Sequence, residues 1–281
     1  MTAWLLMACL TAEPSSFDVG KSEVEITVGD VPLKCFVYRP KTYKEGPLLF
    51  VFHGVLRNAS EYRDHAVGMA DRFGVIVVAP LFDDERFPLA KYQHGGIVRD
   101  GKAVPSEERT GAMIPKLATA IRQREKRPDM PYYMIGHSGG GQFLFRLAAF
   151  VETDAKEIVA SNAGTLIFPR RDAPFPYGYG QLPQELANDA EMKRFCAQRL
   201  TLYLGEKDTE RDEWLDVSSE ADEQGPTRFE RNKAAFAAWK KLAKDKGWPF
   251  HWRIVVAKDI EHDHEKMFDH AACQDALFGR K

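Results

Sequence analysis

The feature that most constrains this chain is the pentapeptide Gly136-His137-Ser138-Gly139-Gly140, which joins an apolar run, Tyr132 to Ile135, to a helical pattern, Gln142 to Phe150. A short, continuous apolar run bounded this way reads as a strand buried on both faces. To pass directly from such a strand into a helix the backbone must turn sharply on one residue. Only small neighbours fit around that turn, hence glycine two before and two after Ser138. The turn lifts the serine hydroxyl clear of the sheet. It also aims the following N–H groups, and the positive end of the helix dipole, at one spot. Ser138 is therefore the candidate nucleophile.

The rest of the chain fits the same architecture. Ser22–Val28 and Pro32–Tyr38 alternate about a Gly29-Asp30 turn and predict a hairpin. Leu48–Phe52, Val75–Val78, Tyr132–Ile135, Ile158–Ala160, Leu200–Leu204 and Trp252–Val256 read as buried strands. Between them, helical spacing is expected over Ser60–Phe73, from Ser106 to about Lys126, over Gln142–Phe150 and over Thr227–Lys246. Short buried strands alternating with helices predict an α/β fold whose mostly parallel sheet is covered on both faces. Residues 17–281 read as a single domain with insertions at about 81–104 and 165–199. The second insertion is rich in proline and aromatics and is expected to form a flap that grips an acyl or aromatic group.

A serine hydroxyl needs a base, and the base needs a partner that fixes its tautomer. On this scaffold the chain order is Ser, acid, His, with each group on a loop at the carboxyl end of a strand. Asp208 follows the strand ending at Gly205, with Glu206, Asp212 and Asp216 as rivals. His262 follows the last strand, with His264 as rival. Asp208 and His262 are the preferred pair. His262-Asp263-His264 could also place two histidines on a metal, but further ligands at a recognisable spacing are missing. No metal and no cofactor are expected.

Acyl transfer also needs two backbone N–H groups at the developing oxyanion. The expected donors are Gly139, after the nucleophile, and Val55, in the loop His53-Gly54-Val55-Leu56 after the central strand. His53 reads as a structural histidine, and His137 as packing or as a wall of the site.

Together these segments resemble the α/β-hydrolase superfamily. Within it, His53-Gly54-Val55-Leu56-Arg57-Asn58-Ala59 with Tyr62 is similar to the H-G-x-x-x-N-A-x-x-Y run of the esterase and polyhydroxybutyrate-depolymerase-like group. The resemblance implies the α/β-hydrolase fold, with about eight strands, and cofactor-free ester hydrolysis through an acyl-enzyme. The expected substrates are short to medium neutral esters, small or polymeric, with polyester oligomers included. A serine peptidase or acyltransferase on the same scaffold is the alternative. A silent binding module would have no need of all three catalytic groups.

Charge narrows the partners. With 39 Lys and Arg against 41 Asp and Glu, the net charge of −2 offers no broad footprint for nucleic acid. No segment is long and apolar enough to span a membrane. Ala3–Leu10 is apolar with a polar exit, so residues 1–16 are expected to be a signal peptide, giving a secreted or periplasmic protein. The alternative is an ordinary N-terminal tail and a cytoplasmic location. Cys35, Cys196 and Cys273 are expected as buried thiols unless the fold brings Cys196 and Cys273 together.

Overall fold

The computed structural model describes residues 16–279. The expected leader, Ser16 apart, lies outside the described residues.

Strands β1 (Gly20–Val28) and β2 (Val31–Arg39) form the expected hairpin, turning on Gly29 at φ +62°. Then come β3 (Leu48–Phe52), α1 (Ala59–His65), α2 (Val67–Phe73) and β4 (Ile76–Pro80). The segment expected as one helix over Ser60–Phe73 is thus two. The break falls at Ala66, whose ψ of −1° tightens the last turn of α1. The 81–104 insertion carries a small hairpin of β5 (Val98–Arg99) and β6 (Lys102–Ala103). The next helix, expected from Ser106, begins as two 3-10 turns, and α3 spans only Met113–Arg124. The reason is tertiary: Gly111 packs so closely on Leu147 and Val151 that a methyl there would meet Val151 at 3.0 Å.

After β7 (Tyr132–His137), α4 (Gly139–Phe150) starts three residues earlier than the sequence pattern implies. The remaining elements are β8 (Ile158–Ser161), α5 (Asp189–Cys196), β9 (Leu200–Gly205), α6 (Ser219–Asp222), α7 (Arg228–Lys246), β10 (Arg253–Ala257), α8 (His264–Asp269) and α9 (Ala272–Phe278).

Eight strands form one sheet in the order β1-β2-β4-β3-β7-β8-β9-β10. β2 meets β4 antiparallel, and every later pairing is parallel. β3 shows why its sequence is apolar without alternation. Leu48, Phe50 and Phe52 enter one core while Leu49 and Val51 enter the core on the opposite face. Because β3, β7, β9 and β10 run parallel, their carboxyl ends open on one edge. The loops carrying Val55, Ser138, Asp208 and His262 all leave from that edge.

The cysteines Cys35, Cys196 and Cys273 are free and buried, so the pairing of Cys196 with Cys273 is not formed. Burial pushes each thiol up to about 12. Among the described residues no helix is long and apolar enough to cross a membrane.

Candidate active site

Ser138 sits at φ 57°, ψ −116°, a strained conformation for a non-glycine residue. The strain is held by contact on all sides. Ser138 N–H donates to Ser161 O at 2.9 Å, and a methyl group at Gly140 would collide with the Phe52 carbonyl. The helix must therefore start directly after Ser138, which is why α4 begins at Gly139.

Across the strand ends, His262 Nδ1 donates to Asp208 Oδ2 at 2.8 Å. The Asp208 side chain is 1% exposed, and its second oxygen, Oδ1, has Arg228 Nη1 3.7 Å away. The rival carboxylates are committed elsewhere. Asp212 takes both guanidinium nitrogens of Arg228 at 2.7 and 2.8 Å. Asp216 accepts from the Tyr177 hydroxyl, and Glu206 accepts from Asp259 N–H. None of the three hydrogen-bonds to His262. The Arg228 guanidinium holds Asp212 below the usual carboxylate range.

His264 has a different environment. Its ring lies flat on Tyr62, centroids 3.9 Å apart and planes within 2°, and its Nε2 meets His65 Nδ1 at 2.9 Å. Burial, and then the neighbouring His65, lower it to about 4. His137 is 2% exposed and backs His262 with ring centroids 4.4 Å apart. Burial drives it well below the ordinary histidine range, so it stays neutral. Its Nε2 accepts from Asn162 Nδ2 at 3.3 Å, while Asn162 Oδ1 accepts from Gly205 N–H at 2.8 Å. Asn162, at φ 48°, thus ties the Ser138 turn to the end of β9. Sequence reasoning passed over it; an Asn directly after a buried strand is the one signal it offers.

The loop after β3 is pinned from behind. His53 Nε2 accepts from Phe82 N–H at 3.1 Å, so the proton is on Nδ1, which donates to Gly54 O at 2.9 Å. Burial lowers His53 to about 4. Tyr92 Oη donates to His53 O at 2.8 Å, and the Arg57 guanidinium reaches Phe82 O and Phe87 O. The 81–104 insertion therefore buttresses this loop. Its front faces the nucleophile: a methyl on Gly139 would lie 3.2 Å from Val55 N.

Ser138, His137, His262, His264, Tyr62, Gly54, Val55, Leu56, Asn58, Glu61 and Trp214 line one open cleft of about 170 Å³. Its neighbour, a groove of about 450 Å³ sharing Trp214 and His262, is lined among the described residues by Asp208, Glu210, Asp212, Glu213, Glu261 and the cation Lys207. A larger hollow of about 560 Å³ at the far end of α4 contains none of these groups. Nor does the cleft contain any residue of the 165–199 segment. The expected flap is instead core: Tyr179 packs on Phe150 and Trp239, and Phe175 on Phe150. Arg170 pairs with Asp172 and Glu223, and Arg171 donates to Ala187 O, so neither is free to receive a substrate carboxylate.

No family model matches the chain, and no curated protein does. Solved structures do. Poly(aspartic acid) hydrolase-1 from Sphingomonas sp. KT-1 shares 31% identity at a TM-score of 0.85, over 92% of this chain and 98% of that one. This chain belongs to the α/β-hydrolase superfamily. Within it, the esterase and polyhydroxybutyrate-depolymerase-like group is its place. LpqC, a poly(3-hydroxybutyrate) depolymerase from Bordetella parapertussis, shares 29% identity at a TM-score of 0.84, over 94% and 91% of the two chains. An S-formylglutathione hydrolase from Staphylococcus aureus, at 14% identity and a TM-score of 0.56 over 94% and 97%, shares the fold alone. The protein is an enzyme of the serine-hydrolase type.

Proposed function

We propose that this α/β-hydrolase is a carboxylic ester hydrolase working through an acyl-enzyme. Ser138 attacks the ester carbonyl and His262 takes its proton, later giving it to the departing alcohol. Asp208 holds His262 in the productive tautomer, and the N–H groups of Val55 and Gly139 receive the oxyanion. The observation that carries this reading is the 2.8 Å bond from His262 Nδ1 to Asp208 Oδ2, with His262 and Ser138 lining the same cleft. With Nδ1 donating to the carboxylate, Nε2 is the nitrogen left to act as base.

The substrates we propose are small to medium neutral esters, with polyester oligomers included. The groove beside the cleft gives room for a second unit, and LpqC is named for a polyester substrate. Poly(aspartic acid) hydrolase-1 is named for poly(aspartic acid), a polyanion joined by amide bonds, which favours amide hydrolysis as a second reading. Glu210 and Glu213 argue against it here, because each added carboxylate would enter a groove already acidic. We place the catalytic domain at residues 17–281. The leader-like segment 1–16 would send it outside the cytoplasm, secreted or periplasmic; the mass of the exported protein checks this.

A panel of p-nitrophenyl esters of graded acyl length, together with 3-hydroxybutyrate oligomers and matched anilides, tests the reading. Ester kcat/KM should exceed that on the matched anilide by orders of magnitude. Comparable amide turnover would replace the esterase reading with the amide one.

A further inference from the structure

Beside the cleft three side chains meet, two from α1 and one from the start of α8. Glu61 and His65 lie one turn apart on the same face of α1, and His264 opens α8. One ligand-type atom from each lies within 4.8 Å of the others. His65 Nδ1 and His264 Nε2 are already 2.9 Å apart, facing each other. A tetrahedral zinc with Zn–N bonds of about 2.0–2.1 Å would hold them roughly 3.3 Å apart, a few tenths of an ångström wider.

The surroundings fit a metal as well as the three ligands do. The far nitrogen of His65, Nε2, has Glu265 Oε2 at 3.6 Å, longer than a hydrogen bond but close enough for the carboxylate to close on the ring N–H and fix it once the ring ligates. The Tyr62 face, stacked on His264 at 3.9 Å between centroids, sets the plane of its ring. Glu61 is exposed and accepts from Asn58 Nδ2 through Oε2, with Oε1 not used in that bond.

We propose that Glu61, His65 and His264 form a binding site for a divalent transition-metal ion, zinc-like in its preference for two imidazoles and one carboxylate. A fourth position, open toward the cleft, is completed by water. Glu61 and His264 also line the cleft that holds Ser138, so the ion would sit on the substrate side of the molecule. It is remote from the His262–Asp208 pair in role: neither residue is a ligand.

Untagged full-length protein, stripped with chelator and dialysed, should take up one Co2+ per chain, read from the visible bands of tetrahedral cobalt. Zn2+ should displace it. His65→Ala should weaken binding by more than about 100-fold, since even loss of an outer-sphere partner costs 10–100-fold. Glu265→Gln should fall within that outer-sphere range, and His270→Ala should bind as the parent does. If His65→Ala fails to fold by circular dichroism, Glu61→Gln, a change at an exposed side chain, decides with an expected loss of about tenfold or more. Binding no tighter than millimolar in the parent, or equal affinity in folded His65→Ala and in Glu61→Gln, overturns the proposal. None of these readings depends on the hydrolase activity.

Discussion

Arg228 stands 3.7 Å from Asp208, with both side chains 1% exposed, yet its two short hydrogen bonds go to Asp212. Asp212 thereby keeps a buried guanidinium from competing with His262 for Asp208. Removing one partner of a buried ion pair leaves the other charge uncompensated. Because the Asp212 side chain is 29% exposed, Asp212→Ala should cost less than the about 3–5 kcal/mol of a fully buried pair, roughly 2–3 kcal/mol of stability. It should also lower kcat with little change in KM, as Arg228 turns toward Asp208. Urea unfolding with parallel kinetics checks both; a variant as stable and as fast as the parent would show that Asp212 has no such role.

Ser138→Ala should reduce kcat by on the order of 10³-fold or more, as loss of a triad member does elsewhere. A fluorophosphonate should modify the peptide containing Ser138 and no other. Modification of a different residue in active enzyme would remove Ser138 from the mechanism.

His262→Ala should match the Ser138 loss, whereas His264→Gln should retain activity to within about tenfold. The difference follows from partners: His262 bonds to Asp208, while His264 stacks on Tyr62 and faces His65. The reverse ranking in kcat would exchange their roles.

Stability should fall on mild acidification. His53 and His264 are lowered to about 4, and His94 to about 3, by burial. Unfolded histidine titrates near 6.5, so between roughly pH 6.5 and 4 the unfolded chain binds more protons than the folded one. Stability therefore drops as pH falls through that window and levels off below the folded values. For His53, which is 0% exposed, the full shift corresponds to about 3 kcal/mol. Carboxylates lowered by partners, such as Asp212, withdraw their contribution further down, below about pH 4. Unfolding free energies at pH 7 and pH 4.5 test this; equal values would contradict it.

An anionic substrate should be disfavoured. Esters matched in size but bearing a carboxylate should show a lower kcat/KM than neutral ones, with the gap narrowing in salt. Glu210→Lys with Glu213→Lys should close it. A carboxylate ester turned over as readily as its neutral match at low salt would exclude steering by this groove.

Much of this was readable from the chain, and the parts that were not share a cause. Buried strands announce themselves because both faces need apolar side chains, and the turn at Ser138 because only glycine fits around it. Helix starts differ from the local pattern wherever tertiary contact overrides it: Gly140 and Gly141, pressed on the carbonyls of Phe52 and Ser161, let α4 begin at Gly139, and Gly111 delays α3. The aromatics of 165–199 read as a substrate grip but pack into the core, since composition does not say which way a ring faces. Asn162, Trp214 and the meeting of His65 with His264 depend on residues brought together by the sheet, and no local window contains them.

The turn that carries Val55 is fastened from the rear by Phe82, Phe87 and Tyr92, which occupy the Arg57 guanidinium, Nε2 of the His53 ring and the His53 carbonyl. The two stretches therefore form a transplantable unit only when moved together. A chimera that imports residues 53–58 from a relative while keeping the native 81–104 would inherit the new sequence without the struts that shape it. For anyone altering selectivity by loop exchange, the smallest meaningful cassette runs from His53 through Tyr92, with β4 included.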